Sequence, residues 1–300
     1  MVDERRQDSL RTVLGHDVVE TFVSRVGYDF DEISEHPIIN ARVNGEDRKL
    51  VVHAARNGFF YALDRISGAF VAGKQYVDQL NWTPGLDPKT GKPLNYNPNV
   101  DVQIYAEGSH GTRAKPQGGR LCPTMVGGKN WSPSASNPEL GLIYVPSIEG
   151  CNSVETVEQR DFVGQGGTVN PRDRFTGGAF NFSERLYGSL KALDPVTGET
   201  KAQTRLEYPN LSGGALATAG NLVFLGQADG TFGAYDARTL KELWSFNIGT
   251  GISAPAISFA VNGKQYIAIL AGFNKQTFGL LGFPELKNTA PASMLFVFGL

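Results

Sequence analysis

The chain has 300 residues, 41% hydrophobic and 19% charged, with a formal net charge of -2. That balance supports a sizeable apolar core, carries no basic footprint for nucleic acid, and includes no run of about 18 apolar residues that would cross a membrane as a helix. Glycine (36) and proline (16) are scattered between short apolar runs rather than clustered, which suits many tight turns joining short strands.

Residues 1–27 are a poorly defined N-terminal segment. Met1 to Arg11 is polar and charged, without the apolar stretch of a signal peptide. Ser9 to Val26 has moderate helical periodicity and reads as a short helix. An acidic cluster follows: Asp29, Asp31, Glu32 and Glu35. It resembles a calcium loop only loosely, lacking the turn glycine and the spaced terminal glutamate.

Strand signals begin at Pro37. Ile38 to Val43 alternates, Asn44-Gly45 is a hairpin turn, and Lys49 to Ala54 returns. Phe59 to Leu63 follows the Asn57-Gly58 turn, giving three consecutive antiparallel strands. Residues 75–120 form a long irregular stretch, a length that marks either a functional loop or an error in the assignment of elements. Strands resume around Met125 and at Gly141 to Pro146. A second Gly-rich insert spans about Gly150 to Arg185. The last third is the most regular, with strands predicted at 187–194, 221–227, 231–236, 242–247, 252–259, 265–271 and Met294 to Phe298.

One pattern recurs through this order: apolar strand, glycine turn, second strand, then Ala-x-Asp and another turn. It appears at Ala62-Leu63-Asp64, Ala192-Leu193-Asp194 and Ala234-Tyr235-Asp236. Asp194 to Asp236 is one propeller blade's worth of chain, since such blades take about 40–50 residues. A single blade cannot bury both its faces, so the unit predicts an array of neighbours. Trp244 lies ten residues after Ala234, where its ring can stack onto the next blade. Ala72 and Ala202 stand in the matching places. The fold class is all-β: a propeller with two large insertions and no visible domain boundary after residue 28.

The chemistry-bearing residues are few. Cys122 and Cys151 are the only cysteines, and they flank the strand at Tyr144. They read either as one disulfide, contributing on the order of 3–4 kcal/mol, or as two buried thiols. Arg56 sits in a tight turn, where an arginine is ordinarily solvated. Asn130 and Trp131 read as a loop amide and a core ring. The four histidines have no metal-ligand spacing. Gly164-Gln165-Gly166-Gly167 precedes no helix and is not a phosphate loop. Neither a Gly-x-Ser-x-Gly elbow nor a haem-attachment motif is present.

The Ala-x-Asp-x-x-Thr-Gly-x-x-x-Trp spacing resembles the tryptophan-docking motif of the PQQ-dependent (quinoprotein) alcohol dehydrogenases. Longer runs are similar to the same family: Arg56 to Arg65, Cys122 to Trp131, and Gly213 to Phe224. Together they cover about residues 28–300. The resemblance implies an eight-bladed propeller with a quinone near its axis. At about 40–50 residues per blade, less the inserts, this chain builds about four to six blades. It is therefore expected to be an incomplete propeller, the C-terminal half of the family's catalytic domain, over residues 28–300.

The resemblance also assigns roles. Cys122 and Cys151 match paired cysteines. Arg56 matches a donor to the quinone carbonyls, a task suited to a fixed, always-charged fork. Asn130 and Trp131 match cofactor contacts. Ser212 stands where many members place a tryptophan under the quinone, and it lacks that ring's stacking area. The family's catalytic aspartate and calcium ligands find no match in residues 1–27, so no catalytic or metal residue is named. PQQ, with calcium or a lanthanide, is the implied cofactor set. An alcohol is the implied substrate, a cytochrome c the acceptor and the periplasm the location, and the chain alone is expected to be inactive or incomplete. The alternative is a non-catalytic propeller scaffold built from the same repeats.

Overall fold

The computed structural model describes residues 32–100, 103, 105–109, 111–112, 114–156, 178–182, 184–211, 213–272 and 282–299. The helix expected at Ser9 to Val26 lies outside them, as do Asp29, Asp31, Ser212 and the glycines at 164–167.

The described strands are, in chain order, β1 (Ile38–Val43), β2 (Glu46–Ala54), β3 (Phe59–Asp64), β4 (Phe70–Gln75), β5 (Ala135–Asn137), β6 (Leu142–Glu149), β7 (Ser153–Thr156), β8 (Gly178–Asn181) and β9 (Tyr187–Leu193). They continue with β10 (Thr200–Leu206), β11 (Ala215–Ala217), β12 (Leu222–Gly226), β13 (Thr231–Asp236), β14 (Glu242–Asn247), β15 (Ile257–Val261), β16 (Lys264–Ala271) and β17 (Met294–Gly299). They form four antiparallel blades. The first is β1-β2-β3-β4, the second β5-β6-β9-β10, the third β11-β12-β13-β14 and the fourth β15-β16-β17, with a β7-β8 ribbon inserted in the second. Four blades is the lower end of the expected range.

Turn chemistry explains the repeat. Asn44 and Gly45 both take positive φ (52° and 85°), as a two-residue hairpin with the strand's twist requires. At the Ala-x-Asp turns, the aspartate Oδ1 accepts backbone N–H bonds from the second and third residues on. These are Ile66 and Ser67 for Asp64, Val196 and Thr197 for Asp194, and Arg238 and Thr239 for Asp236. Those bonds hold the Asp64 and Asp236 carboxyls below the usual range. Each turn closes through a left-handed residue, Gly68, Gly198 or Leu240. Leu240 accepts φ 55° without being glycine because its side chain is buried in the core between the second and third blades. Asp87 makes the same turn through Lys89, Thr90 and Gly91 inside the first insert.

The blades stack face to face in chain order. Val52, Phe60 and Ala62 of the first meet Ile143, Val145 and Leu193 of the second. Tyr144 and Leu190 meet Val223, Leu225 and Tyr235 of the third, and the Tyr144 hydroxyl donates to Ala237 O at 2.9 Å. Phe224 and Phe232 meet Ile267 and Ile269 of the fourth. Trp244 reaches the following blade as its spacing implied, with its ring 5.4 Å from Phe298.

Two strand expectations need correction. The region around Met125 is a turn, and the strand begins only at Ala135, because Gly127 and Gly128 fold that stretch back against Arg56. The strand expected at 252–259 is β15, starting at Ile257; residues 251–256 run irregularly into it. The second insert holds the β7-β8 ribbon. The disulfide reading of Cys122 and Cys151 is borne out: they are bonded, with Cα atoms 4.5 Å apart.

Candidate functional site

Strand direction alternates in an antiparallel blade. The turn between its second and third strands therefore lies at the same end as the loop leading into its innermost strand. This puts Arg56 on the same end as the approach loops 128–134, 210–214 and 251–256. Both long inserts open at that end too, and the Asp-capped turns of the first three blades lie at the other. The approach loops pack side by side. A Cβ on Gly214 would stand 2.4 Å from Pro133 Cγ and 2.9 Å from Pro255 Cβ, so only glycine permits the approach.

Arg56 is not the solvated turn residue that position alone implies; it is 4% exposed. Its Nη2 donates to Met125 O at 2.8 Å, and its own carbonyl accepts from Gly128 N at 2.8 Å. Gly127, at φ 85°, lies so near that an added Cβ would come within 2.8 Å of Arg56 Cβ and Cγ. Asn130 is anchored to the same turn, donating from Nδ2 to Val126 O at 2.8 Å and accepting from Trp131 N at 3.0 Å. The structure thus brings Arg56 and Asn130 together on the 125–131 turn. Trp131 is not a core ring; it is 49% exposed. Ser212 falls outside the described residues, between Leu211 and Gly213.

A polar cluster that the sequence reading left out lies behind these residues. Lys129 is fully buried, and its Nζ donates to Glu35 Oε2 at 2.9 Å and to Asn130 O at 3.3 Å. Glu35 Oε1 accepts from Ser134 N at 2.8 Å, so one carboxylate grips the loop on both sides of Asn130 and Trp131. Burial pushes the Glu35 carboxyl up, but the Lys129 charge and the Ser134 bond outweigh it and hold it below the usual range. Burial lowers Lys129 as well, against the pull of Glu35. The direction we assign to the pair is the ionised one, because both carboxylate oxygens are bonded. Glu32 Oε2 bonds His53 Nε2 and accepts weakly from Arg56 N at 3.5 Å. Glu32 Oε1, Asn210 Oδ1 and Ser253 Oγ are buried polar atoms without a hydrogen-bond partner among the described residues. The signal available in the sequence was the lysine between Gly127-Gly128 and Asn130-Trp131, a cation in a stretch too tight to be solvated.

His36 stacks on His53 with ring centroids 4.2 Å apart. Burial first, then the neighbouring His53 and Lys129, push His36 from its ordinary 6.5 down to about 4, against Glu35. The folded state therefore favours neutral His36. This stability is present above about pH 6.5 and is lost as the pH falls from there towards 4. The unfolding free energy from urea titration is expected to fall across that window by on the order of 1–2 kcal/mol, after allowance for partial solvent screening. His36→Phe should flatten the fall; a profile identical to the unaltered chain would refute the assignment.

Among the described residues no group of three or more His, Cys, Asp or Glu is placed to hold a metal ion. The buried guanidinium of Arg56 packs against the 125–131 turn, which carries the anchored amide of Asn130 and the half-exposed ring of Trp131.

Comparison with known proteins gives a consistent picture. The family model of the glucose/ethanol/alcohol dehydrogenase β-propeller domain (PQQ) matches residues 176–267. Quinoprotein alcohol dehydrogenase PedH of Pseudomonas putida is 35% identical over 252 residues, covering 82% of this chain and 39% of PedH. Lupanine 17-hydroxylase [cytochrome c] of a Pseudomonas species is 37% identical over 257 residues, covering 84% of this chain and 34% of the hydroxylase. Among solved structures, quinohemoprotein alcohol dehydrogenase ADHIIG of Pseudomonas putida HK5 superposes with TM-score 0.70 at 28% identity, over 88% of this chain and 38% of that one. A europium-containing methanol dehydrogenase superposes with TM-score 0.73 at 26% identity, over 92% of this chain and 49% of that one. The chain thus spans well under two thirds of the length of each of these relatives.

Proposed function

From the premise that the chain belongs to the PQQ-dependent (quinoprotein) alcohol dehydrogenase family, we propose that it forms one wall of a PQQ site in an enzyme that oxidises alcohols. The observation that carries this reading is the buried guanidinium of Arg56, fixed against the turn that presents Asn130 and Trp131.

Bound PQQ supplies an ortho-quinone that accepts a hydride equivalent from the substrate carbon. The chain's own residues bind and polarise it. Arg56 offers permanently charged donors to adjacent quinone oxygens and favours negative charge building there. Asn130 presents a neutral amide at the ring edge. Trp131 offers an aromatic face. The Lys129–Glu35 pair holds these groups in place before the ligand arrives, which reduces the ordering cost of binding. Ser212 lies outside the described residues and stays a proposed cofactor contact on the family resemblance alone. No catalytic base is assigned among the described residues.

The remaining parts of the reading follow the relatives. Electrons pass to a cytochrome c, as the name of the lupanine hydroxylase suggests for that enzyme. The Cys122–Cys151 bond suits an oxidising compartment such as the periplasm. A calcium or lanthanide ion accompanies the quinone in this reading, europium being named for one neighbour. The described residues do not fit such an ion, so no step is routed through it.

Titrating the chain with PQQ, with and without calcium, tests the proposal. Saturable quenching of tryptophan emission, with a shift in quinone absorbance, is expected. A linear, non-saturating response would sink it and leave the scaffold reading.

A further inference from the structure

A buried polar atom without a partner costs free energy, so folded chains keep few of them and each asks for a reason. Glu32 Oε1, Asn210 Oδ1 and Ser253 Oγ are such atoms, and all three belong to the end of the blades that holds Arg56. Among the described residues none lies on the rim or at the opposite end. Slack in the loops is not the cause. Asn210 is 5% exposed, and its backbone is held on both sides. Its carbonyl accepts from Ser132 Oγ at 3.4 Å, Leu211 N donates to Pro209 O at 3.0 Å, and the Leu211 side chain is buried with Ile148 and Phe283. Ser253 follows Ile252, which is wholly buried and donates from N to Gln227 O at 3.0 Å, while Gly251 O accepts from Gly272 N at 2.9 Å. The two loops meet where Gly214 packs close to Pro255, and Gly214 also packs close to Pro133, in the loop that carries Asn130 and Trp131.

We propose that Asn210 and Ser253 are ligand-contact residues, which extends the site from the Arg56 turn onto the approach loops of the third and fourth blades. The inference rests on the quinone reading and adds to it two contacts that the family resemblance did not assign. An amide Oδ1 only accepts, so its complement is an N–H or O–H group of the ligand. The Ser253 hydroxyl donates as well as accepts, so it suits an anionic oxygen too. PQQ carries both kinds of group, a pyrrole N–H and carboxylates. Glu32 is left out, because its Oε2 bonds His53 and this places it behind Arg56 rather than on the approach loops.

The test uses Ser253→Ala and Asn210→Leu, each close in shape to the residue it replaces, and two measurements: the urea midpoint of the free chain and the PQQ affinity from tryptophan quenching. Replacing an unpartnered polar atom by an apolar group of like shape costs the free chain nothing, so the midpoints are expected to hold or rise. PQQ affinity is expected to fall about three- to tenfold in each variant, the worth of one neutral hydrogen bond. Loss of a purely structural contact does not give that combination. A lowered midpoint in either variant overturns the proposal, since the atom then has a partner in the free chain, such as an ordered water. Affinity that does not fall overturns it as well. In both cases the quinone reading survives so long as PQQ binds the unaltered chain and binds Arg56→Gln more weakly. If the unaltered chain fails to bind PQQ, that reading and this inference fall together.

Discussion

Arg56→Gln is expected to weaken PQQ binding by at least a hundredfold while leaving most of the chain folded. The argument is one of charge and geometry. Each hydrogen bond to a charged group is worth about 1.5–3 kcal/mol, and a guanidinium makes two in parallel to adjacent oxygens. Glutamine keeps one donor and loses both the charge and the fork. Arg56→Lys keeps the charge alone and should fall between, about tenfold weaker than the parent. Arg56 also braces the 125–128 turn through Met125 O, so each variant needs a urea midpoint beside its titration. Affinity unchanged in Arg56→Gln would mean that the guanidinium does not face the ligand. Affinity lost in step with stability would mean that its role is only to brace the turn.

The blade was readable because its signals are local. Asn44-Gly45, Asn57-Gly58 and the Ala-x-Asp turns each fix a few backbone angles through nearby bonds, and alternation sets the faces between them. The same logic marks where reading failed. Asp87 forms the repeat's turn in full, yet lies in an insert with no blade around it, because one turn does not create four strands. Met125 carried an apolar strand signal, but Gly127 and Gly128 follow after Val126, and their packing against Arg56 and Val77 forces a turn. Trp131 is a large apolar residue that stays exposed, because its loop lies at an open end and not between blades.

The site was half legible for a related reason. Arg56, Asn130 and Trp131 could be chosen only through family likeness; the burial of Arg56 against the turn that carries the other two depends on a contact across 69 residues of sequence. Lys129 and Glu35, 94 residues apart, gave no local sign that they would meet. Buried ion pairs are set by tertiary context, and no spacing rule reaches that far.

The largest stability effect is expected at such a pair. Lys191 on β9 is 1% exposed, and its Nζ lies 2.7 Å from Glu149 Oε1, 2.8 Å from Asp78 Oδ1 and 2.6 Å from Tyr76 O. Glu149, fully enclosed, also accepts from Ser147 Oγ and from Asp78 N. The network ties the strand leaving the first blade to the middle of the second. Burial pushes the Asp78 carboxyl up, but its bonds from Lys191 and Tyr187 prevail and hold it below the usual range. Lys191→Met would leave the buried Glu149 without its cation, so the expected loss is about 3–5 kcal/mol. Pairing it with Glu149→Gln removes the stranded charge and should restore at least half of that loss. A double-mutant cycle of urea midpoints measures the coupling. If Lys191→Met alone costs under about 1 kcal/mol, or the second change restores nothing, the Lys191–Glu149 pair does not hold the two blades together.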